Sequence, residues 1–260
     1  MLRQIPNLFT LLNLIFGSSA IILILQADMV KSFDDAGRWE VSFQSPENFV
    51  LAAVCILCAA IIDFLDGFIA RWLNASSEMG KQLDSLCDAV SFGVAPACVV
   101  YQLLRFSFMR EQGGIETSFL LLLPSLAIAA CSVWRLAKLN IDTRQSVSFR
   151  GVPTPITAIL FFSLPMMWWF HGDVVSEIIL NKWVLYSMIL TAGYLMVSDI
   201  PIMSLKLSGG TWKNYIPQLT LLILSIILMI LLQWMSVPFI YILYVVLSLI
   251  FRKQITLIKS

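Results

Sequence analysis

Long apolar segments separated by short polar stretches dominate the hydrophobicity pattern of this chain. Eight such segments lie at approximately 8–27, 48–70, 84–104, 118–138, 153–170, 178–197, 216–234 and 237–251. Most are close to the roughly 20 residues that an α-helix needs to cross the hydrocarbon core of a membrane. The runs are continuous and do not alternate with period two, so they predict helices and not the strands of a barrel. We therefore predict an all-α integral membrane protein with about eight transmembrane helices.

The composition agrees with this prediction and excludes other classes of protein. Hydrophobic residues make up 59% of the chain and charged residues only 13%, about half of the roughly 25% that is usual in a soluble domain. The net charge is +1, and the basic residues are scattered between apolar runs and form no stripe. A nucleic-acid partner is therefore not expected.

The Lys and Arg residues are unevenly divided between the two sides that eight helices would create. Twelve of the 17 fall on the side that carries both termini, and an excess of these residues marks the cytoplasmic side of a membrane protein. We expect a multi-pass protein of a bacterial inner membrane, with both termini in the cytoplasm. For the segment 28–48, on the opposite side, the length predicts only a cap or a contact surface.

Four aspartates interrupt the apolar pattern around the second and third predicted helices. Asp63 and Asp66 are three residues apart and Asp84 and Asp88 are four apart, so each pair lies on one helical face. A carboxylate at membrane depth costs roughly 2.5 to 3.5 kcal/mol on insertion scales, which points to a function. Oxygen ligands in a compact group suit Mg²⁺, Mn²⁺ or Ca²⁺, and four carboxylates suffice for two ions. We predict a site for two divalent cations, used in phosphoryl chemistry.

Two glycines and an arginine accompany these aspartates. Gly67 follows Asp66 directly and Gly80 precedes Asp84 by one helical turn. A glycine within a helix costs about 1 kcal/mol relative to alanine, so each predicts either close helix packing or the approach of a base or diphosphate to the backbone. Arg71 is suited either to clamping a phosphate or to reaching the membrane interface.

The segment from Asp63 to Asp88 contains the pattern D-x2-D-G-x2-A-R-x8-G-x3-D-x3-D at all eight fixed positions. This pattern resembles the signature of the CDP-alcohol phosphotransferases. The resemblance implies a catalytic bundle of six helices, often a homodimer, which transfers a substituted phosphate from a CDP-linked donor to an alcohol and releases CMP. Residues 1–205 would form this membrane core, and residues 206–260 an additional C-terminal hairpin of the same membrane domain.

The resemblance also implies roles for individual residues. It makes Asp63, Asp66 and Asp84 the main metal ligands, and Asp88 both a further ligand and the general base for the attacking hydroxyl. It places six residues around the CDP moiety: Asn7, Thr10, Asp66, Gly67, Arg71 and Gly80. Two of these, Asn7 and Thr10, belong to a P-N-x-x-T element similar to one in the family, although both also suit helix capping at the membrane interface.

Three further segments resemble the phosphatidylserine synthase branch of this family: R-L-A-K-L-N from Arg135, F-R-G-V-P-T-P from Phe149 and Y-L-M-V-S-D-I-P from Tyr194. The resemblance implies that the donor is CDP-diacylglycerol, taken from the membrane lipids, and that the acceptor is L-serine. A zwitterionic amino acid needs a cation for its carboxylate and polar groups for its ammonium. Arg135, Asn140 and Arg150 are therefore candidates for binding the acceptor, although the basic residues also suit topology determinants.

Two alternatives remain open at the level of sequence. The same chemistry could use glycerol 3-phosphate or an inositol phosphate, but a doubly charged acceptor needs a denser cationic pocket than Arg135 and Arg150 supply. A divalent-cation transporter would need acidic residues along the full membrane depth. The aspartates instead gather near one face, which favours the enzyme.

Overall fold

The computed structural model is built mainly of helices and describes residues 5–33, 39–72, 77–110, 117–141, 149–203 and 216–251. In chain order the helices are α1 (Ile5–Leu25), α2 (Glu47–Trp72), α3 (Glu78–Ala89), α4 (Ala95–Arg110), α5 (Phe119–Leu122), α6 (Leu126–Ile141), α7 (Thr154–His171), α8 (Asp173–Ile179), α9 (Lys182–Val197), α10 (Ile216–Leu232) and α11 (Ser236–Ile250). Two antiparallel pairs are formed by the short strands β1 (Met29–Phe33), β2 (Trp39–Phe43), β3 (Phe149–Arg150) and β4 (Pro201–Ile202).

Each of the eight predicted apolar segments coincides with helical structure. Within the described residues, five continuous helical stretches are long and apolar enough to cross a membrane: Pro6–Leu25, Glu47–Ile69, Glu78–Arg110, Phe119–Ile141 and Ile216–Ile250. The last stretch contains both α10 and α11, which pack against each other on either side of a short 3-10 turn. The prediction of an all-α integral membrane protein is confirmed.

The sixth predicted segment, 178–197, is interrupted in the structure. The helix α8 ends at Ile179 and α9 begins at Lys182, and the side chain of Asn181 accepts a hydrogen bond of 2.9 Å from the backbone N–H of Trp183. Asparagine is favoured at this position because its oxygen satisfies an N–H group that has no partner within the helix. The apolar span is therefore limited to the 16 residues of α9.

Helix α1 directs its polar side into the protein and its apolar side outward. Leu8, Ile15 and Ile22 are exposed, whereas Thr10 and Asn13 are at most 3% exposed. Apolar side chains can remain in lipid, but polar groups at membrane depth have to find partners inside the protein. Because α1 packs against α2 and α3, its polar face meets the two helices that carry the aspartates.

A π-helical turn at Val90–Val94 joins α3 to α4 in one continuous stretch. Pro96, in the first turn of α4, has no N–H group to donate, so the regular hydrogen-bond pattern is interrupted here. A Cβ atom at Gly17 of α1 would overlap the side chain of Ser91, and one at Gly93 would lie 2.9 Å from a hydroxyl of α6. Missing side chains thus let α1 and α6 approach the turn closely.

The segment between α1 and α2 forms a β-hairpin at the end of the bundle opposite the aspartates. Strands β1 and β2 pair in antiparallel register, and Phe43, at the end of β2, is buried in the core. Its ring centroid lies 4.6 Å from that of Phe106, 4.9 Å from that of Phe49 and 5.1 Å from that of Trp168. The sequence indicated a cap or contact surface here but not this hairpin or its aromatic anchor.

A hydrophobic cluster separate from the main core connects the hairpin of α10 and α11 to the rest of the protein. Its buried members come from the segment around β3 and β4, from α7 and from the hairpin itself: Val152, Leu160, Ile202, Met203, Leu221, Tyr241, Tyr244 and Leu247. The hairpin therefore packs on the same membrane unit as the preceding helices.

We predict that Phe43→Ala lowers the free energy of unfolding by about 3–5 kcal/mol, the usual loss for a buried phenylalanine. Unfolding of the purified protein in mixed micelles, followed over an SDS titration, measures this change. Phe119→Ala is the matched control, because Phe119 is 61% exposed and should lose little. Equal losses in the two variants would contradict the anchoring role of Phe43.

Candidate active site

Three of the four aspartates meet where the C-terminal part of α2 packs near α3. Asp63 and Asp66 lie on α2 and Asp84 lies on α3, and one carboxylate oxygen from each falls within 4.8 Å of the other two. Asp66 is 6% exposed, and the other two are partly buried. Like charges at this spacing, away from bulk water, repel one another strongly. The arrangement therefore requires compensation by cations or by hydrogen-bond donors.

Asp88 lies one helical turn deeper on α3 and is 8% exposed. It is not part of the group whose oxygens meet within 4.8 Å, but it is close enough to Asp63 and Asp84 for their charges to interact. Its Oδ1 accepts a hydrogen bond of 3.0 Å from Nδ2 of Asn13. The site thus contains a cluster of three carboxylates and a fourth, more deeply placed carboxylate held by an amide.

Helix α1 supplies the hydrogen-bond donors for both buried carboxylates. The Thr10 hydroxyl lies 2.9 Å from Oδ2 of Asp66 and 3.1 Å from the carbonyl oxygen of Pro6, and can donate to either. Thr10 therefore turns inward, toward the aspartates. The Ser91 hydroxyl donates to the backbone carbonyl of Asn13 at 3.1 Å, which fixes the position of this part of α1.

Asn13 is the functional candidate that the sequence analysis missed. A signal for it was present, because Asn13 follows Thr10 by three residues and so shares its helical face. An amide in an otherwise apolar helix also needs a partner in the protein. Only the structure identifies that partner as Asp88.

The two glycines of the aspartate segment have different surroundings. A Cβ atom at Gly80 would lie 3.1 Å from both the Asn7 Oδ1 and the Ser77 hydroxyl, so the glycine makes room for Asn7. A Cβ atom at Gly67 would have no described atom within 4 Å. Close packing against the described residues therefore does not explain Gly67, and with respect to those residues the backbone beside Asp66 is open to an approaching ligand.

The side chain of Arg71, which was predicted to contact the CDP moiety, lies outside the part of the chain that the structure describes. Its backbone belongs to the last turn of α2.

The three candidates for binding an acceptor lie in different surroundings. Arg135 is 6% exposed on α6, its Nε has no hydrogen-bond partner among the described residues, and its charge interacts with that of Asp88. Asn140 donates to the Ser85 hydroxyl at 2.9 Å, next to Asp84. These contacts bring α6 against α3.

Arg150 lies in a separate, exposed cluster. Its Nη1 is 3.7 Å from Oδ1 of Asp199, and Nζ of Lys138 is 2.7 Å from the same oxygen. The hydrogen bond from Lys138, with the positive charges of both basic residues, lowers the pKa of the Asp199 carboxyl. Lys138 and Arg150 therefore share one carboxylate at the protein surface, where such pairs are individually weak.

The cluster of three carboxylates offers the donor set of a hard divalent cation. Oxygen ligands of Mg²⁺ lie about 2.0–2.1 Å from the ion and those of Ca²⁺ about 2.3–2.6 Å, so two ligands can be up to roughly 4–5 Å apart. The observed limit of 4.8 Å fits this range with at most a small inward movement. The residues present thus suit a metal ion in a site that also handles phosphates.

Comparisons with known proteins show which family the chain resembles. The family model described as CDP-alcohol phosphatidyltransferase matches residues 3–196. A protein of Helicobacter pylori (strain J99) named CDP-diacylglycerol–serine O-phosphatidyltransferase is 30% identical over 221 residues, which cover 83% of this chain and 86% of the relative. A Bacillus subtilis protein of the same name is 35% identical over 112 residues, 43% of this chain and 58% of the relative.

A third relative is also similar to part of this chain. The archaetidylserine synthase of Methanothermobacter thermautotrophicus is 32% identical over 114 residues, which cover 43% of this chain and 45% of that protein. The resemblance carried by the segment from Asp63 to Asp88 is thereby confirmed. The chain belongs to the CDP-alcohol phosphatidyltransferase family.

Proposed function

We propose that this protein transfers the phosphatidyl group of CDP-diacylglycerol to the hydroxyl of L-serine, giving phosphatidylserine and CMP. The observation that carries the proposal is the convergence of Asp63, Asp66 and Asp84 within 4.8 Å, with Asp88 one turn deeper. Membership of the family supports the reaction type, and the names of the similar proteins support serine as the acceptor.

The metal ions of this proposal are two divalent cations, Mg²⁺ or Mn²⁺, with Ca²⁺ as a further possibility. Asp63, Asp66 and Asp84 would hold them, and Asp88 would complete the ligand set from its deeper position. When bound, such ions neutralise the diphosphate and make CMP a better leaving group. The repulsion among the carboxylates supports this assignment, because it falls when cations occupy the site.

Asp88 is the proposed general base. The serine oxygen attacks the phosphorus that carries the diacylglycerol, and its proton passes to the Asp88 carboxylate. The bond from that phosphorus to the bridging oxygen of CMP breaks, and CMP leaves with the electron pair. Asn13 donates to Oδ1 of Asp88, which orients the carboxylate and favours its charged form until the proton arrives.

The CDP moiety is placed against the ends of α1, α2 and α3. The open backbone at Gly67 supports this placement, since a flat base or a diphosphate can approach where a side chain is missing. Six residues line this part of the proposed site: Asn7, Thr10, Asp66, Gly67, Arg71 and Gly80.

The acceptor is placed on the α6 side of Asp88. Arg135 is buried and has an unpaired Nε among the described residues, and a guanidinium suits the carboxylate of an amino acid. Asn140 and Arg150 are the other proposed contacts. Because Arg150 and Lys138 already share Asp199, the cationic density is modest, which favours a zwitterion over glycerol 3-phosphate or an inositol phosphate.

The remaining parts of the proposal concern the assembly and its place in the cell. The aspartate side faces the cytoplasm of a bacterial inner membrane, the donor arrives from the surrounding lipids, and the protein is a homodimer. Residues 1–205 form the catalytic membrane core, and residues 206–260 add a hairpin to it.

The first prediction from the proposed function concerns the acceptor and the base. Purified protein with CDP-diacylglycerol and Mn²⁺ or Mg²⁺ should release CMP when L-serine is added, and Asp88→Asn should lower kcat by about 10²–10⁴-fold because the base is lost. Glycerol 3-phosphate and inositol phosphate are the comparison acceptors. CMP release with either of these acceptors, but not with serine, would keep the reaction type and change the assigned acceptor. If none of the three acceptors supports CMP release by a folded, metal-bound preparation, the proposal is refuted.

The second prediction concerns the amide beside the base. Asn13→Ala should lower kcat by about 10- to 100-fold, since a hydrogen bond to a charged group contributes roughly 1.5–3 kcal/mol. Asn48→Ala, in the first turn of α2 and remote from the aspartates, is the control. If the two variants have the same kcat, Asn13 has no part in positioning Asp88.

The third prediction separates ligand access from packing at Gly67. Gly67→Ala should raise the free energy of unfolding by about 1 kcal/mol, because alanine is the better helix former and the added Cβ meets no described atom. The KM for CDP-diacylglycerol should rise in the same variant. Gly93→Ala is the contrasting variant and should lose stability, because its Cβ would press on a hydroxyl of α6. An unchanged KM in Gly67→Ala would falsify the assignment of Gly67 to the donor site.

A further inference from the structure

The hairpin of α10 and α11 lies beyond residues 3–196, the part of the chain that the family model matches. Most of its outward residues are apolar and exposed, as lipid-facing residues would be. Its inner face, however, carries Tyr244 and Ser248, which are 3% and 0% exposed. Buried hydroxyl groups in a membrane helix require partners, and those partners lie on the acceptor side of the proposed site.

Both backbone polar groups of Met203 are bound by this face of α11. The Tyr244 hydroxyl donates to the Met203 carbonyl at 2.8 Å, and the Met203 N–H donates to the Ser248 hydroxyl at 3.1 Å. The Ser248 hydroxyl in turn donates to the backbone carbonyl of Tyr244 at 2.7 Å. The side chains of Tyr244 and Ser248 thus make the two backbone hydrogen bonds that a neighbouring strand would otherwise make with Met203, the residue that follows β4.

Met203 and Arg150 belong to the same short antiparallel ribbon. We call it the acceptor ribbon and define it as residues 149–152 and 199–203. In this ribbon Arg150 pairs with Pro201, and the Gly151 N–H donates to the Ile200 carbonyl at 3.0 Å. Gly151 has φ +73° and a Cβ atom there would overlap the carbonyl of Met196, so only glycine fits the turn. The backbone that carries Arg150 is therefore fixed in relation to α11.

The acceptor ribbon is also connected to α6. Asp199 of the ribbon bonds Lys138, which lies one turn after Arg135 on α6. Tyr244 therefore holds the ribbon that carries one proposed acceptor ligand, Arg150, and that is bonded to α6, the helix of a second, Arg135.

We infer that Tyr244 and Ser248 are positioning residues, through which the C-terminal hairpin sets the geometry of a pocket for a zwitterionic amino acid. The inference rests on the proposed function. Neither residue touches the reacting atoms, so their loss should weaken acceptor binding and leave donor binding intact.

The test uses the full-length protein in detergent or nanodiscs with the variants Tyr244→Phe and Ser248→Ala, each of which removes one bond to Met203. The KM for L-serine should rise about five- to tenfold in each variant, as expected for the loss of one buried hydrogen bond. The KM for CDP-diacylglycerol and kcat should stay within about twofold of the wild type. Amide hydrogen exchange at Gly151 and Met203 should become faster.

Tyr241→Phe is the matched control, because Tyr241 lies one turn earlier in the same buried cluster and its hydroxyl forms no hydrogen bond with another described residue. This variant should keep the wild-type KM for L-serine. If Tyr244→Phe does not fold, Ser248→Ala provides the same comparison.

The outcomes separate the inference from the proposed function. A wild-type protein without serine-dependent CMP release refutes the proposed function and removes the basis of the inference. A serine-dependent wild type whose KM for L-serine is unchanged in Tyr244→Phe and Ser248→Ala refutes the inference alone, whatever happens to hydrogen exchange. A rise in both KM values together, or the same rise in Tyr241→Phe, indicates general damage to the fold and also refutes it.

Discussion

The burial of Asp66 and Asp88 among apolar helices is the constraint on which much of this structure depends. A buried carboxylate is costly unless it is paired or hydrogen-bonded, and here the donors come from Thr10 and Asn13 of α1. This requirement explains why α1 has a buried polar face. It also explains why α1 lies so close to the π-helical turn that a side chain at Gly17 would not fit.

The site as a whole has two sides with different supports. The side proposed for the donor is built by the ends of α1, α2 and α3, where carboxylates and small residues dominate. The side proposed for the acceptor is built by α6, the acceptor ribbon and α11, where Arg135 is buried and Asp199 moderates the charge of two exposed cations. Asp88 lies between the two sides, since it receives a bond from α1 and interacts with the charge of Arg135.

Some of this arrangement could be predicted from the sequence because it follows from helical periodicity. The spacing within the pair Asp63 and Asp66 and within the pair Asp84 and Asp88 predicted two acidic helix faces. The structure brings together one oxygen each from Asp63, Asp66 and Asp84. Hydrophobic run length likewise predicted the helices. Periodicity does not report which helices are neighbours, so the bond from Asn13 to Asp88 and the attachment of Met203 to α11 could not be foreseen. Asn181 ended an apolar run through local capping, which a count of hydrophobic residues does not detect.

The aromatic anchor of the β-hairpin has a consequence for the two leaflets of the membrane. Phe43, Phe106 and Trp168 pack together at the end of the bundle opposite the aspartates. Under the proposed function, water and charged reactants reach the carboxylates from the aspartate end. A lipid donor would then enter from, and its product return to, a single leaflet. An even distribution of that product between the two leaflets would require a separate translocation step. Without that step, the phospholipid product would accumulate in one leaflet.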